Sequence, residues 1–125
     1  MTIKLTTIGA VLVLAALLIP ATASAADAAA GKTAFDANCS SCHGVSGKGD
    51  GPVGQALTPR PRDFSVGDFA FDTDGDGKKG TDTDLKNVIQ KGAAAYGGSP
   101  LMAPWPTLSD DDIANVIAHI RSLKE

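Results

Sequence analysis

Cys39-Ser40-Ser41-Cys42-His43 is the stretch that decides what kind of fold this chain can have. Cys-x-x-Cys-His is the spacing at which haem is covalently attached to protein. The chemistry needs two thiols, one for each porphyrin vinyl group, and an imidazole directly after them to bind the iron. The motif therefore predicts Cys39 and Cys42 as attachment residues and His43 as the proximal ligand. A Cys-x-x-Cys pair alone also occurs in dithiol oxidoreductases and in zinc sites, so the rest of the chain must discriminate between them.

Residues 1–25 have the form of a secretory signal peptide. Lys4 gives a positive start, residues 5–19 are apolar, and Ala23-Ser24-Ala25 has the small-x-small form of a cleavage site. An apolar run of about fifteen residues is short for a membrane span, which needs about twenty, so an uncleaved anchor is the less favoured alternative. Cleavage after Ala25 predicts a periplasmic protein with no membrane span in its mature form.

The remaining residues, 26–125, are expected to form one small domain. The net charge of −3 becomes −4 when Lys4 is removed. An acidic chain without a cluster of Lys and Arg argues against nucleic acid as a partner. Both cysteines belong to the motif, so haem attachment leaves none for a disulfide. A buried haem would then compensate for the limited core of so short a chain.

Two helices are predicted near the ends of the mature chain. Segment 28–38 places Gly31 and Phe35 one turn apart on the same face, and glycine there lets another helix come close. The last helix follows Ser109 as its cap, with three aspartates in its positive first turn. Its apolar stripe at helical spacing comprises Ile113, Val116, Ile117, Ile120 and Leu123.

The middle of the chain contains one further predicted helix and one long loop. The helix begins near Thr81, has Asp84 at the capping-box position and ends at Gly92. Segment 44–80 is dense in Gly, Pro and Asp and shows neither a strand nor a long helix. It nevertheless carries four large apolar residues, Leu57, Phe64, Phe69 and Phe71. We therefore expect this segment to wrap around an apolar cofactor.

Candidates for the second axial ligand follow by elimination. Once Met1 is removed, Met102 is the only methionine, and His119 is the only histidine besides His43. Met102 lies in a proline-rich loop that can aim its side chain at iron, although methionine also serves as a gap-filler in cores. His119 lies within the last helix, where a helix interface or the surface is the favoured interpretation.

The chain resembles the monohaem class I cytochromes c over most of its mature length. The matching features are Gly31-x-x-x-Phe35 before the motif, the turn Gly49-Asp50-Gly51-Pro52, the segment Leu57-Thr58-Pro59-Arg60-Pro61-Arg62-Asp63-Phe64, the loop Met102-Ala103-Pro104-Trp105 and the final helix. The resemblance implies an all-helical fold in which the first and last helices cross near Gly31 and Phe35. It also implies a haem between the His43 and Met102 sides, and a bond from His43 Nδ1 to the Pro52 carbonyl.

The chain departs from many relatives at two positions. Ala103 separates Met102 from Pro104, where many relatives have Met-Pro, and His119 stands where many have an aromatic residue. The first departure concerns the geometry of the loop. The second introduces a titrating group near the predicted helix crossing.

Three further residues are candidates for contact with haem. Arg60 and Arg62 can pair with the haem propionates, because guanidinium groups suit carboxylates; the alternative is solvated surface arginine. Trp105 can donate from its indole nitrogen nearby or pack against the haem.

Asp72-Thr73-Asp74-Gly75-Asp76-Gly77 resembles the start of a calcium-binding EF-hand loop. The end of the loop does not fit, because position 12 is Thr83 rather than glutamate and position 8 is Lys79. A weak calcium site at Asp72, Asp74 and Asp76 and an acidic, turn-rich loop are both consistent with the sequence.

These sequence features discriminate between three functional classes. The favoured class is a monomeric electron carrier, not an enzyme, that docks to an oxidase, reductase or dehydrogenase. A five-coordinate haem sensor or a peroxidase-like protein needs an open iron position, which Met102 would occupy. The chain lacks the βαβ pattern that a haem-free dithiol oxidoreductase would show and the second pair of ligands that a zinc module would need.

Overall fold

The computed structural model describes residues 24–125, which contain helices and irregular loops but no strand. The α-helices are α1 (Ala28–Asn38), α2 (Ser40–His43), α3 (Asp82–Lys91) and α4 (Asp110–Ser122). Short 3-10 turns cover Gly54–Ala56 and Ala93–Tyr96. The predicted all-α class is confirmed. The predicted signal peptide falls almost entirely on residues 1–23, outside the described residues.

The ends of α1 are set by local hydrogen bonds. Asp27 precedes the helix, and its carboxylate accepts from the backbone N–H groups of Ala29 and Ala30, which have no acceptor within the helix. At the other end, the N–H of Cys39 donates to the carbonyl of Phe35. The helix therefore has the predicted bounds and delivers the chain directly into the Cys-x-x-Cys-His motif.

Helices α1 and α4 cross at Gly31, as predicted. A methyl group built on Gly31 would lie 1.8 Å from the carbonyl oxygen of Asn115, so the two backbones touch at this point. Phe35, one turn further on, is completely buried. The Asn115 side chain also accepts from the backbone N–H of Asp27 at 2.7 Å. This crossing forms one end of the core.

Helix α3 begins with the predicted capping box. Thr81 accepts from the backbone N–H of Asp84, and the Asp84 carboxylate accepts from the N–H of Thr81. The helix ends at Gly92, also as predicted. Arg121 of α4 donates to the carboxylate of Asp82 at 2.8 Å, which links α3 to α4.

The long loop is irregular apart from one 3-10 turn, as predicted, and hydrogen bonds tie it to itself and to the C-terminal residue. The N–H of Phe64 donates to the carbonyl of Gly47 at 2.8 Å, and the N–H of Glu125 donates to that of Ser65 at 3.0 Å. Phe64 belongs to the buried core, and Phe69 packs against that core. The loop therefore closes one side of the molecule. No helix in residues 24–125 is long and apolar enough to cross a membrane.

Candidate cofactor site

A cavity of about 670 Å³ lies between the long loop, helix α3 and the loop that carries Met102. Its walls are mostly apolar, and its volume falls in the range of about 300–1,000 Å³ that cofactor sites occupy. The four apolar residues predicted to surround a cofactor all line it: Leu57, Phe64, Phe69 and Phe71. Seven of the predicted site residues also line it: Cys39, Cys42, His43, Arg60, Arg62, Met102 and Trp105.

The two cysteines are placed by the short helix α2. The N–H of Cys42 donates to the carbonyl of Cys39 at 3.2 Å, and the N–H of His43 donates to the same carbonyl at 2.9 Å. This single turn brings both thiols and the imidazole to one wall of the cavity. Burial, with the charge of Cys42 as a smaller cause, raises the pKa of Cys39 to about 11, so its thiol stays protonated at neutral pH.

The His43 imidazole is held by Arg62 and Phe64 of the long loop. Its Nδ1 lies 3.2 Å from the carbonyl oxygen of Arg62. The Phe64 ring stacks on it with 4.6 Å between the ring centres and 16° between the planes. Burial lowers the pKa of His43, against a smaller opposing effect of the Arg62 carbonyl. A neutral imidazole that donates from Nδ1 leaves Nε2 unprotonated, which is the form that binds a metal.

The predicted bond from His43 to the Pro52 carbonyl is wrong in this structure, since Arg62 supplies the carbonyl. The turn around Pro52 packs instead against the backbone of α2. The N–H of Gly51 donates to the carbonyl of Cys42, and that of Val53 donates to the carbonyl of Ser41. These bonds place Pro52 at a separate, shallow depression, and it does not line the main cavity.

The loop that carries Met102 is anchored to the end of α3. The N–H of Ala93 donates to the Met102 carbonyl at 3.2 Å, and the N–H of Trp105 donates to that of Ile89 at 2.8 Å. A methyl group on Gly92 would lie 2.9 Å from the Met102 carbonyl oxygen, so glycine permits this close approach. The half-buried Met102 side chain therefore lines the cavity from a fixed backbone.

Arg60 and Arg62 are exposed at the cavity, and Trp105 is half-buried. Neither arginine forms an ion pair within residues 24–125, where the cations that do are Lys32, Lys48, Lys86 and Arg121. Trp105 packs against the core cluster. Their positions are consistent with the contacts predicted for them.

His119 does not line the cavity. It is buried on α4, and its ring meets the edge of Phe35 with 5.1 Å between the ring centres. The interpretation of His119 as a helix-interface residue therefore agrees with the structure, and Met102 is the candidate distal ligand that reaches the cavity.

The acidic loop brings together a different set of carboxylates from the predicted one. Asp72 and Asp74 lie within 4.8 Å of Asp84, which replaces Asp76 as the third member. Asp84 accepts four hydrogen bonds, from the N–H and hydroxyl groups of Thr73 and Thr81. Asp72 accepts from the backbone N–H groups of the loop itself. The carboxylates thus shape the loop and cap α3, as a turn-rich loop would require.

The donor set of the cavity fits a haem c. Two thiols and an imidazole stand on one wall, a thioether stands on a loop at the cavity, and the lining between them is apolar. The family model for cytochrome c matches residues 28–124. The chain belongs to the cytochrome c family. Its single Cys-x-x-Cys-His motif makes it a monohaem class I member, as the resemblance implied.

Two small cytochromes c are similar to the chain over most of their length. It is 36% identical to cytochrome c-554(547) of Halothiobacillus neapolitanus over 101 residues, which cover 80% of this chain and 100% of that protein. It is 30% identical to cytochrome c-555 of Chlorobaculum tepidum over 117 residues, which cover 90% of this chain and 92% of the other. Such a cytochrome carries a covalently bound haem c and transfers electrons.

A solved structure gives a further comparison. The chain superposes with a TM-score of 0.64 and 32% identity on a chain of the reducing HAO-like protein complex Kustc0457/Kustc0458 of Kuenenia stuttgartiensis. The match covers 76% of this chain but 41% of the other, so the cytochrome spans less than half of that longer protein.

The sequence did not identify the two groups that hold His43, the Arg62 carbonyl and the Phe64 ring. Phe64 was expected near the cofactor only as an apolar wall. A backbone carbonyl carries no signal in a sequence, and its position depends on how the long loop folds back.

Proposed function

We propose that this cytochrome is a periplasmic carrier of single electrons whose haem c is attached to Cys39 and Cys42 and ligated by His43 and Met102. The observation that carries the proposal is the meeting of two thiols, one imidazole and one thioether at a single apolar cavity. When bound, haem supplies a reversible one-electron change at its iron.

The protein's own part in this function is to hold both ligands still. The Arg62 carbonyl and the Phe64 ring fix the plane of His43. The bond from Ala93 to the Met102 carbonyl fixes the backbone of the other ligand. Ligands that cannot move allow the oxidation state to change with little rearrangement. A thioether ligand and an apolar wall that excludes water both favour a higher potential.

Two residues at the cavity are proposed to hold the charged edge of the haem. Arg60 and Arg62 are exposed there, and their guanidinium groups suit propionate carboxylates. Trp105 is proposed to pack against the haem, because its ring is half-buried beside the core.

The cellular setting is part of the proposal. The sequence of residues 1–25 supports export and cleavage after Ala25. The mature protein would act as a monomer and dock to redox proteins such as an oxidase, reductase or dehydrogenase. The similarity to one chain of the reducing HAO-like protein complex supports a partner protein of the redox class.

The optical spectrum of the exported protein tests the proposal. Oxidised and reduced spectra of a covalently bound haem c are expected, and a protein purified without covalent haem would refute it. Met102→Ala should abolish the sulfur-to-iron charge-transfer band of the ferric form. Leu101→Ala is the matched control, because Leu101 is the exposed neighbour at the same cavity.

A second measurement discriminates between the carrier and a five-coordinate sensor. The ferrous wild-type protein should not bind carbon monoxide readily, whereas Met102→Ala should, because the variant opens the distal position. Ready binding by the wild type would favour the sensor. A ferric wild-type protein without the sulfur-to-iron band, or a Met102→Ala protein that retains it, would contradict Met102 as the distal ligand.

A further inference from the structure

Two buried polar atoms that make no hydrogen bond within residues 24–125 lie where α1 and α4 pack together. His119 on α4 is 6% exposed, and its Nε2 makes no hydrogen bond. On α1, one carboxylate oxygen of Asp36, Oδ1, is likewise buried and unbonded. The other oxygen, Oδ2, accepts from Lys32. Burying a polar atom unpaired is unfavourable, and an imidazole N–H and a carboxylate oxygen are complementary.

Charges on α1 act directly on His119. The Asp36 carboxylate raises the pKa of His119, Lys32 lowers it, and burial lowers it most. The other packed elements direct their charges elsewhere. On α3, the Asp82 carboxylate pairs with Arg121, and the Asp84 carboxylate accepts hydrogen bonds from Thr73 and Thr81. In the long loop, Lys48 pairs with Glu125. Within the described residues, Asp36 is therefore the carboxylate positioned to stabilise a charged His119.

The Phe35 ring links His119 to the cavity. Phe35 contacts His119 edge-on at 5.1 Å between ring centres, and Phe35 also lines the cavity. The core around Phe35 is apolar. Charges interact strongly through such a medium, because its dielectric response is much weaker than that of water.

We propose that Asp36 and His119 form a proton-binding pair between α1 and α4 that links proton uptake to reduction of the haem. The Asp36 carboxylate stabilises the added proton on His119 through its charge and without a hydrogen bond, since neither His119 Nε2 nor Asp36 Oδ1 has a hydrogen-bond partner within the described residues. Reduction brings one electron from the partner redox protein and removes one positive charge from the cavity. The protonated imidazole is then favoured, so part of a proton is taken up with each electron. This inference rests on the proposed haem function.

The midpoint potential of the holoprotein measured against pH tests the pair. Over a pH range that extends below the ordinary pKa of histidine, because burial lowers the pKa of His119, the potential should fall as pH rises and then level off. His119→Phe should remove this dependence. Asp36→Asn should move it to lower pH, because the carboxylate that stabilises the imidazolium is gone. Asp111→Asn, which removes an exposed carboxylate from the same helix, should behave as the wild type.

Nuclear magnetic resonance can detect protonation of His119 directly, and a His119 with a purely structural role would show no such titration. The imidazole C–H resonance of His119 in the reduced protein should titrate, and in Asp36→Asn it should titrate at lower pH. If His119→Phe does not fold, His119→Gln keeps a polar group without the titration.

Two results would overturn the inference. One is a potential that is independent of pH in the wild type, and the other is an equal dependence in His119→Phe or His119→Gln. Either result with a normal haem c spectrum leaves the proposed electron carrier intact. A protein without covalent haem would refute that proposal instead.

Discussion

At the scale of single residues, the close approach of α1 and α4 depends on the missing side chain of Gly31. The space that a methyl group would occupy lies 1.8 Å from the Asn115 carbonyl oxygen, and next to the N–H of Val116. Backbone atoms cannot rotate away as a side chain can. Any larger residue must therefore push the helices apart and loosen the packing around Phe35, which is fully buried beside it.

We expect Gly31→Ala to lower the free energy of unfolding by about 1–3 kcal/mol, the usual cost of overpacking a core. Alanine improves helix propensity by up to about 1 kcal/mol, but this gain is smaller than the cost of moving two backbones. Urea unfolding of the holoprotein measures the difference. Thr33→Ala, at an exposed position of the same helix, should change stability by less than about 0.5 kcal/mol. A Gly31→Ala protein as stable as the wild type would contradict the close crossing.

At the scale of elements, Asp84 joins helix α3 to the acidic loop. The N–H of Thr73 is the main cause that holds the pKa of Asp84 far below its usual range, with further hydrogen bonds from Thr73 and Thr81 acting against burial. A carboxyl group whose pKa is depressed in the folded state stabilises the protein above its unfolded pKa. That stabilisation is lost as the pH falls from about 4 towards the folded value.

Asp84→Asn should therefore lower the urea midpoint at pH 7. The asparagine NH2 group is a donor, and it would face the N–H and hydroxyl donors of Thr73 and Thr81 that the carboxylate accepts from. The difference in urea midpoint between Asp84→Asn and the wild type should be smaller at pH 3, because the wild type begins to lose the stabilisation from its carboxylate there. Asp82→Asn in the same turn, which gives up only an exposed ion pair with Arg121, should have a smaller effect at both pH values. Equal effects of the two substitutions at pH 7 would contradict the role of Asp84.

The elements that the sequence predicted correctly are those specified by neighbouring residues. Thr81 and Asp84 cap α3 through bonds that span three residues, and Ser109 caps α4 in the same way. The partner of His43 was predicted wrongly as Pro52, because the choice depends on how the long loop returns. A bond between Gly47 and Phe64 sets that return, and no local pattern reveals it. The unpaired atoms of Asp36 and His119 arise similarly from packing between distant helices.

At the scale of the whole molecule, the cavity is large for so small a domain. Holding about 670 Å³ open would cost roughly 16 kcal/mol at about 24 cal/mol per Å³, an upper bound because the cavity reaches the surface. Domains are typically stable by about 5–15 kcal/mol. A cofactor that fills this space removes part of that cost, so we expect the haem to contribute to the stability of the fold around Phe35 and α4.

The double variant Cys39→Ser and Cys42→Ser should consequently lose most of the native fold along with haem attachment. Its far-ultraviolet circular dichroism should show much less helix than the wild type, and its thermal unfolding should lose cooperativity, because the cavity walls would have nothing to pack against. Ser40→Ala and Ser41→Ala within the same motif keep both thiols and should retain haem and helicity. A haem-free double variant that unfolded cooperatively with native helicity would show that the walls collapse onto one another, and that the apolar core can support the domain without its cofactor.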